Sequence, residues 1–138
     1  MASGSPYVKQ LDETASLIAR ELNLVDWKLV YQSRSGPPGQ PWLEPDICDY
    51  IRKLYADGRR ELIIAPIGFI SDHMEVLYDL DTEAAALTNE LGIHMSRART
   101  AGTHPEFIRM IRDLILAGPC ICPPDCCPAP QRPTSSTQ

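Results

Sequence analysis

A short apolar run at residues 62–65 (Leu-Ile-Ile-Ala) is followed at once by Pro66, Ile67, Gly68 and Phe69, and then by a long stretch with helical spacing. The run reads as a buried strand, the next four residues as a turn, and residues 72–91 as a helix stopped by Gly92. Asp72, His73 and Glu75 gather where the turn passes into the helix. Open α/β sheets place their ligands at such junctions, just past the carboxyl ends of the strands. An imidazole beside several carboxylates there can bind a divalent metal or move protons.

The rest of the chain alternates in the same way. Residues 6–22 carry Leu11, Ala15, Ile18 and Leu22 at helical spacing, and residues 27–32 read as a short strand. A loop dense in Ser, Gly and Pro covers 33–41. Residues 44–57 are expected to be helical, with Ile47, Ile51, Leu54 and Tyr55 on one face and Gly58 as the stop. Strands are expected at 60–65 and 93–98, and a last helix at 103–116, with Thr103 as its cap and Glu106 at the capping-box position. The order α-β-α-β-α-β-α implies an α/β lobe: a short parallel sheet of three to four strands flanked by helices. Such a unit usually opens on a strand, so a missing N-terminal strand, or a partner that supplies the rest, is expected.

From Gly118 the composition changes. Pro119, Pro123, Pro124, Pro128, Pro130 and Pro133 exclude regular helix and central strand. The expected organisation is one domain over 1–117 and a Cys/Pro-rich tail over 118–138, disordered from 128 onward. The length of 138 residues suits one domain with a real core. A formal charge of −5 argues against non-specific nucleic-acid binding. No apolar run approaches the roughly 20 residues of a membrane span, and residues 1–6 lack the basic-then-apolar pattern of a signal peptide. Of five cysteines, four crowd into 120–127; an odd count so arranged fits ligation better than disulfides and points to a reducing cytoplasm.

Asp72, Glu75, Asp79 and Glu83 are spaced three, four and four apart, so a helix aligns them in one acidic row. Neighbouring carboxylates repel, which favours cation binding or proton uptake. His73 is two residues from Glu75, and an ideal helix sends the two to different sides. They converge only if the helix is irregular or starts late. The plain structural alternative makes Asp72 an N-cap and the others a solvated face. In the tail, Cys120, Cys122 and Cys127 form a Cys-x-Cys-x4-Cys array, a spacing that suits soft metals or an iron–sulfur cluster. Cys48 is expected to be a packed thiol, and His94 and His104 structural or exposed.

Two motifs now carry a resemblance. Tyr31-Gln32-Ser33-Arg34-Ser35-Gly36-Pro37 with Pro41-Trp42-Leu43-Glu44-Pro45 is one, and Pro66-Ile67-Gly68-Phe69 with Ser71-Asp72-His73-Met74-Glu75-Val76-Leu77-Tyr78-Asp79-Leu80-Asp81 is the other. Together they resemble the ferrochelatases, most of all the bacterial branch that makes haem through coproporphyrin. The resemblance covers residues 5–127 and corresponds to the C-terminal lobe of a two-lobed enzyme whose porphyrin lies between the lobes. It implies insertion of Fe²⁺, as substrate, into coproporphyrin III or protoporphyrin IX. Glu75 is then the metal ligand or proton acceptor, and His73 supports it in a hydrogen-bonded set with Asp72. Asp79 and Glu83 continue an acidic path for metal entry or proton exit. An irregular, widened helical turn is implied at the same place, and Trp42 packs near the macrocycle or the core. Cys120, Cys122 and Cys127 match C-terminal ligands of [2Fe–2S]-carrying members, in which a fourth cysteine lies well upstream. Here Cys126, adjacent to Cys127, is a strained substitute and the cluster is incomplete. The histidine strand and porphyrin-holding residues of the other lobe have no counterpart in this chain. Two alternatives accompany this reading. One is a small homodimeric chelatase of the cobalt type. The other is an inactive lobe that only binds metal or porphyrin.

Overall fold

The computed structural model of the protein describes residues 6–32 and 42–118. Helix α1 (Tyr7–Glu21) realises the first apolar spacing. Helix α2 (Ile47–Ala56) starts three residues inside the expected span because Asp46 caps it. The Asp46 carboxylate accepts the N–H of Cys48 at 2.8 Å and of Asp49 at 3.3 Å, serving first-turn amides that have no helical partner. Gly58, at φ +83°, ends the turn after α2 in a conformation that disfavours any side chain.

Strands β1 (Glu61–Ile64) and β2 (His94–Arg97) pair in parallel, Leu62 opposite Met95 and Ile64 opposite Arg97. One continuous helical path joins them. It consists of α3 (Met74–Tyr78), a π-helical turn (Asp79–Ala84) and α4 (Ala85–Leu91). Helix α5 (Pro105–Leu116) follows β2. The chain divides into two compact units, Met1–Gly102 and Thr103–Gln138. No described helix is long and apolar enough to cross a membrane.

Among the described residues the sheet has two strands, fewer than the three to four expected. Residues 27–32 are extended but contribute a single parallel bridge, Tyr31 to Asp46. Tyr31 donates its N–H to Pro45 O at 2.9 Å and accepts the Ile47 N–H at 2.8 Å. Ile47 is already the first residue of α2, so the partner backbone turns away and the ladder stops after one step. The cap of α5 is His104 rather than Thr103, with Pro105 at the first helical position, where its missing N–H costs nothing.

The core forms where α2 and the inner sheet face meet the long helical path. Ile47, Ile51, Val76, Leu80, Ala84 and Ile93 are buried, with Leu62, Ile64, Phe69 and Met95 packed around them. Alternation along β1 sends Leu62 and Ile64 inward and leaves Ile63 79% exposed. The buried positions on the helical path are Val76, Leu80, Ala84 and Thr88, each four residues from the last. At 3.6 residues per turn, four-residue steps drift by about 40° each, so a regular α-helix would carry the row off the core. The wider π turn takes up an extra residue and returns the row to one side. Thr82 contributes by donating its hydroxyl to Leu77 O at 3.4 Å, five residues back.

Candidate active site

Two loops meet beyond the carboxyl ends of β1 and β2. Ala98 N–H bonds Ile64 O at 2.8 Å, extending the ladder by one step, and Gly102 N–H bonds Ile70 O at 2.6 Å. The loop from β1 then tightens through Ile67 N–H to Ala65 O at 2.9 Å and His73 N–H to Ser71 O at 3.1 Å. It delivers His73 to the start of α3.

The helix starts late, one of the two conditions under which His73 and Glu75 can converge. His73 is the N-cap of α3, with extended backbone (φ −93°, ψ 177°), and Asp72 lies outside the helix. The His73 Nδ1 accepts the Glu75 N–H at 3.2 Å. The imidazole also stands edge-on to the Phe69 ring, with centroids 4.5 Å apart and planes at 86°. Nδ1 is thus engaged by the backbone, and in the neutral ring the proton belongs on Nε2, which is left to act outward. His104 caps α5 in the same manner, its Nδ1 accepting the Glu106 N–H at 3.3 Å. The His-x-Glu unit is therefore a capping device at both places, and among the described residues it is at His73 that an aromatic ring, a following π turn and a half-buried cation on the preceding Asp72 accompany it.

That cation is Arg97, the last residue of β2, whose side chain is only 15% exposed. It donates to both Asp81 oxygens, at 2.5 and 2.8 Å, and to Asp72 Oδ1 at 3.0 Å. The hydrogen-bonded set expected for Asp72 with His73 is thereby replaced. Asp72 is held by Arg97, and His73 by the Glu75 amide. Hydrogen bonding and the charges of Asp81 and Asp72 raise the Arg97 pKa above its ordinary value.

Glu75 is exposed in the first turn of α3. Asp79 opens the π turn half-buried, and Glu83 near its end is exposed. The drift argument for the buried row applies equally to Glu75, Asp79 and Glu83, so the widened turn keeps these four-residue steps on one flank. Among the described residues no three His, Cys, Asp or Glu side chains stand close enough together to enclose a metal ion. The acidic row is a flank, not a closed cage. Cys48 is half-buried against the core, and burial, Asp46 and Glu83 push its thiol pKa up. Cys120, Cys122, Cys126 and Cys127 lie outside the described residues, as does the loop 33–41. At the edge of that loop the Trp42 indole N–H is buried without a hydrogen-bond partner among the described residues.

Sequence reasoning missed Arg97 and Asp81. Arg97 lies 25 residues from Asp72, and nothing local marks it. Alternating burial along β2, which turns Met95 and Arg97 inward, was the available signal.

The ferrochelatase family model matches residues 1–118 of the chain. A ferrochelatase of Rhodopirellula baltica is 51% identical over 151 aligned residues, covering 96% of this chain and 43% of the relative. A coproporphyrin III ferrochelatase of Streptomyces coelicolor is 50% identical, covering 91% of this chain and 40% of the relative. One from Propionibacterium freudenreichii is 45% identical over 91% of this chain and 41% of the relative. The chain spans about two fifths of the length of these relatives. A widened helical turn one short helix past a capping histidine, beyond the carboxyl edge of a parallel pair, thus stands in a sequence half identical to a named ferrochelatase: the chain belongs to the ferrochelatase family.

Proposed function

We propose that the chain is the metal-handling C-terminal portion of a ferrochelatase, which inserts Fe²⁺ into a coproporphyrin III or protoporphyrin IX ring. The carrying observation is the placement of Glu75 one turn before a π-helical widening, with His73 clamped as the helix cap beside it. Insertion requires a hydrated Fe²⁺ to exchange water for ring nitrogens while two pyrrole protons leave. An exposed carboxylate suits the first task by replacing water on the ion, and it suits the second as a base. In this reading Glu75 contacts the ion or takes the proton. His73, with Nδ1 occupied, presents Nε2–H toward the reacting centre and steadies the charge on Glu75. Asp79 and Glu83 extend the same flank, so cations approach and protons depart along it. Asp72 contributes through Arg97 rather than by touching substrate.

The substrate assignment leans on the names of relatives at 44–51% identity, several of them coproporphyrin III ferrochelatases. The remaining porphyrin contacts would come from the other lobe, and the reaction would take place in the cytoplasm. Cys120, Cys122 and Cys127 are the residues that would hold an iron–sulfur centre. An absorption spectrum of anaerobically purified protein tests that assignment. Loss of free-porphyrin fluorescence on adding Fe²⁺ tests the main reading, with Glu75→Gln as the discriminating variant. If wild type and variant consume porphyrin at the same rate, Glu75 has no part in the step.

One observation keeps the paired-lobe alternative in view: Ile63 on the outer sheet face is 79% exposed, and its neighbours Glu61, His94 and Ser96 are exposed too. Parallel sheets are ordinarily covered on both faces. A covering lobe from the same protein or from a second copy satisfies this equally, and size-exclusion chromatography separates the two.

A further inference from the structure

We infer that Arg97 is the positioning residue of the site, fixing where Glu75 and His73 stand by holding the chain on both sides of them. The inference rests on the proposed role of Glu75. Asp72 immediately precedes His73, and Asp81 lies inside the π turn, so the two carboxylates bracket α3 entirely. A single planar guanidinium grips both. Nε–H and Nη2–H fork onto the two oxygens of Asp81, and Nη1–H reaches Asp72 Oδ1 at 3.0 Å and Ala98 O at 3.2 Å. Four of these contacts draw on the five donors of the group, in the fixed geometry that suits a carboxylate.

Three features argue that the grip serves the site and is not an incidental surface pair. First, Arg97 is 15% exposed, while its partners are 31% and 36% exposed, so the pair is shielded more than the other ion pairs among the described residues, whose side chains are 58% exposed or more. Second, Arg97 belongs to β2, so the grip fastens the residue before the α3 cap and the π turn to the sheet rather than to another loop. Third, it sorts the acids. Asp79, Asp81 and Glu83 fall within one six-residue turn, where like charges repel. Arg97 neutralises Asp81 and Asp72 and commits them to the protein, leaving Glu75 and Glu83 outside the grip. Without the fork, the two committed carboxylates would compete for a cation, and the turn that sets the pitch of the acidic flank would lose its anchor.

The test uses the whole chain, isotope-labelled, with Mn²⁺ as the probe. Wild type is compared with Arg97→Gln, Arg97→Lys and Asp81→Asn. Two quantities are read by NMR: line broadening at Glu75 and His73 as Mn²⁺ is added, and amide-exchange protection across 79–84. In wild type the broadening should centre on Glu75. Arg97→Gln should draw the broadening off Glu75 toward Asp72 and Asp81, which it frees to take the ion, and Asp81→Asn should weaken the Mn²⁺ contact at Glu75 by loosening the turn. They should also lower protection across the π turn. Arg97→Lys keeps the charge without the fork, folds more readily, and should fall between. If the variants lose protection but bind Mn²⁺ as wild type does, Arg97 is a staple only and the inference fails. Absence of broadening in wild type would instead sink the metal reading of Glu75, and the positioning role with it.

Discussion

At the scale of single residues, the site depends on which atoms are already engaged. Nδ1 of His73 is committed to the Glu75 amide, so His73→Asn, which can cap a helix, should preserve stability and lose activity. His73→Ala should lose both, and thermal melts beside a porphyrin-fluorescence assay separate the two contributions. Glu75→Gln keeps the shape and removes the charge, and should cut metal insertion by about 10²–10⁴-fold, the usual share of one acid–base group. Trp42→Ala should cost much less in the same assay. Cys48 offers a pH-dependent readout. Its folded pKa is raised, chiefly by burial, so the folded state holds a proton that the unfolded thiol releases above about pH 8.5. The contribution to stability is therefore complete below that pH and is lost as pH rises beyond it through the raised folded pKa. Cys48→Ser should flatten this part of the stability curve, as denaturant titrations between pH 7 and 10 would reveal. Most of these positions were legible from spacing, but their roles were not. Asp72 reads as a cap or a site acid until Arg97, distant in sequence, is seen to claim it.

At the scale of elements, the π turn decides the register of everything on the helical path. Deleting Thr82 should convert the turn toward regular α-helix and, by shortening the Leu80–Ala84 step to three residues, keep Ala84 and Thr88 on the core side while Glu83 moves relative to Glu75 and Asp79. Helical circular dichroism and the melting temperature should largely persist while metal insertion is lost. Leu80, 1% exposed at the centre of the turn, is the sharper stability probe, since Leu80→Ala should cost about 2–5 kcal/mol in denaturant unfolding. The four-residue spacing of both the buried and acidic rows was visible in the sequence, and a period longer than 3.6 is the physical mark of such a turn. Taken singly, those residues satisfy an ordinary helix, and for that reason composition and propensity do not reveal it. Strand β1 was legible as a short apolar run bounded by turns, and β2 as a short segment that follows the stop at Gly92. The segment at 27–32 (Trp-Lys-Leu-Val-Tyr-Gln) also favours a strand, yet a strand exists only where a neighbour supplies a matching edge. Its neighbour at Asp46 is the start of α2.

At the scale of the whole molecule, the chain aligns with about two fifths of its relatives' length, and among the described residues Ile63 stands exposed on one sheet face. An apolar side chain so placed on a parallel sheet favours burial against a partner. Ile63→Lys should therefore leave a monomer's melting curve nearly unchanged, yet weaken any homodimer or lobe pairing detected by size-exclusion chromatography. The loops beyond the two strands carry a different consequence. Because the Gly102 amide is tied to Ile70, the segment after β2 acts as a latch over the one that leads to His73. Arg99 sits exposed partway along that latch, where trypsin can reach it. A cut after Arg99 would leave the Gly102–Ile70 bond as the remaining tie between the two loops, so the fate of His73's amide-exchange protection after limited digestion reads how much that latch holds.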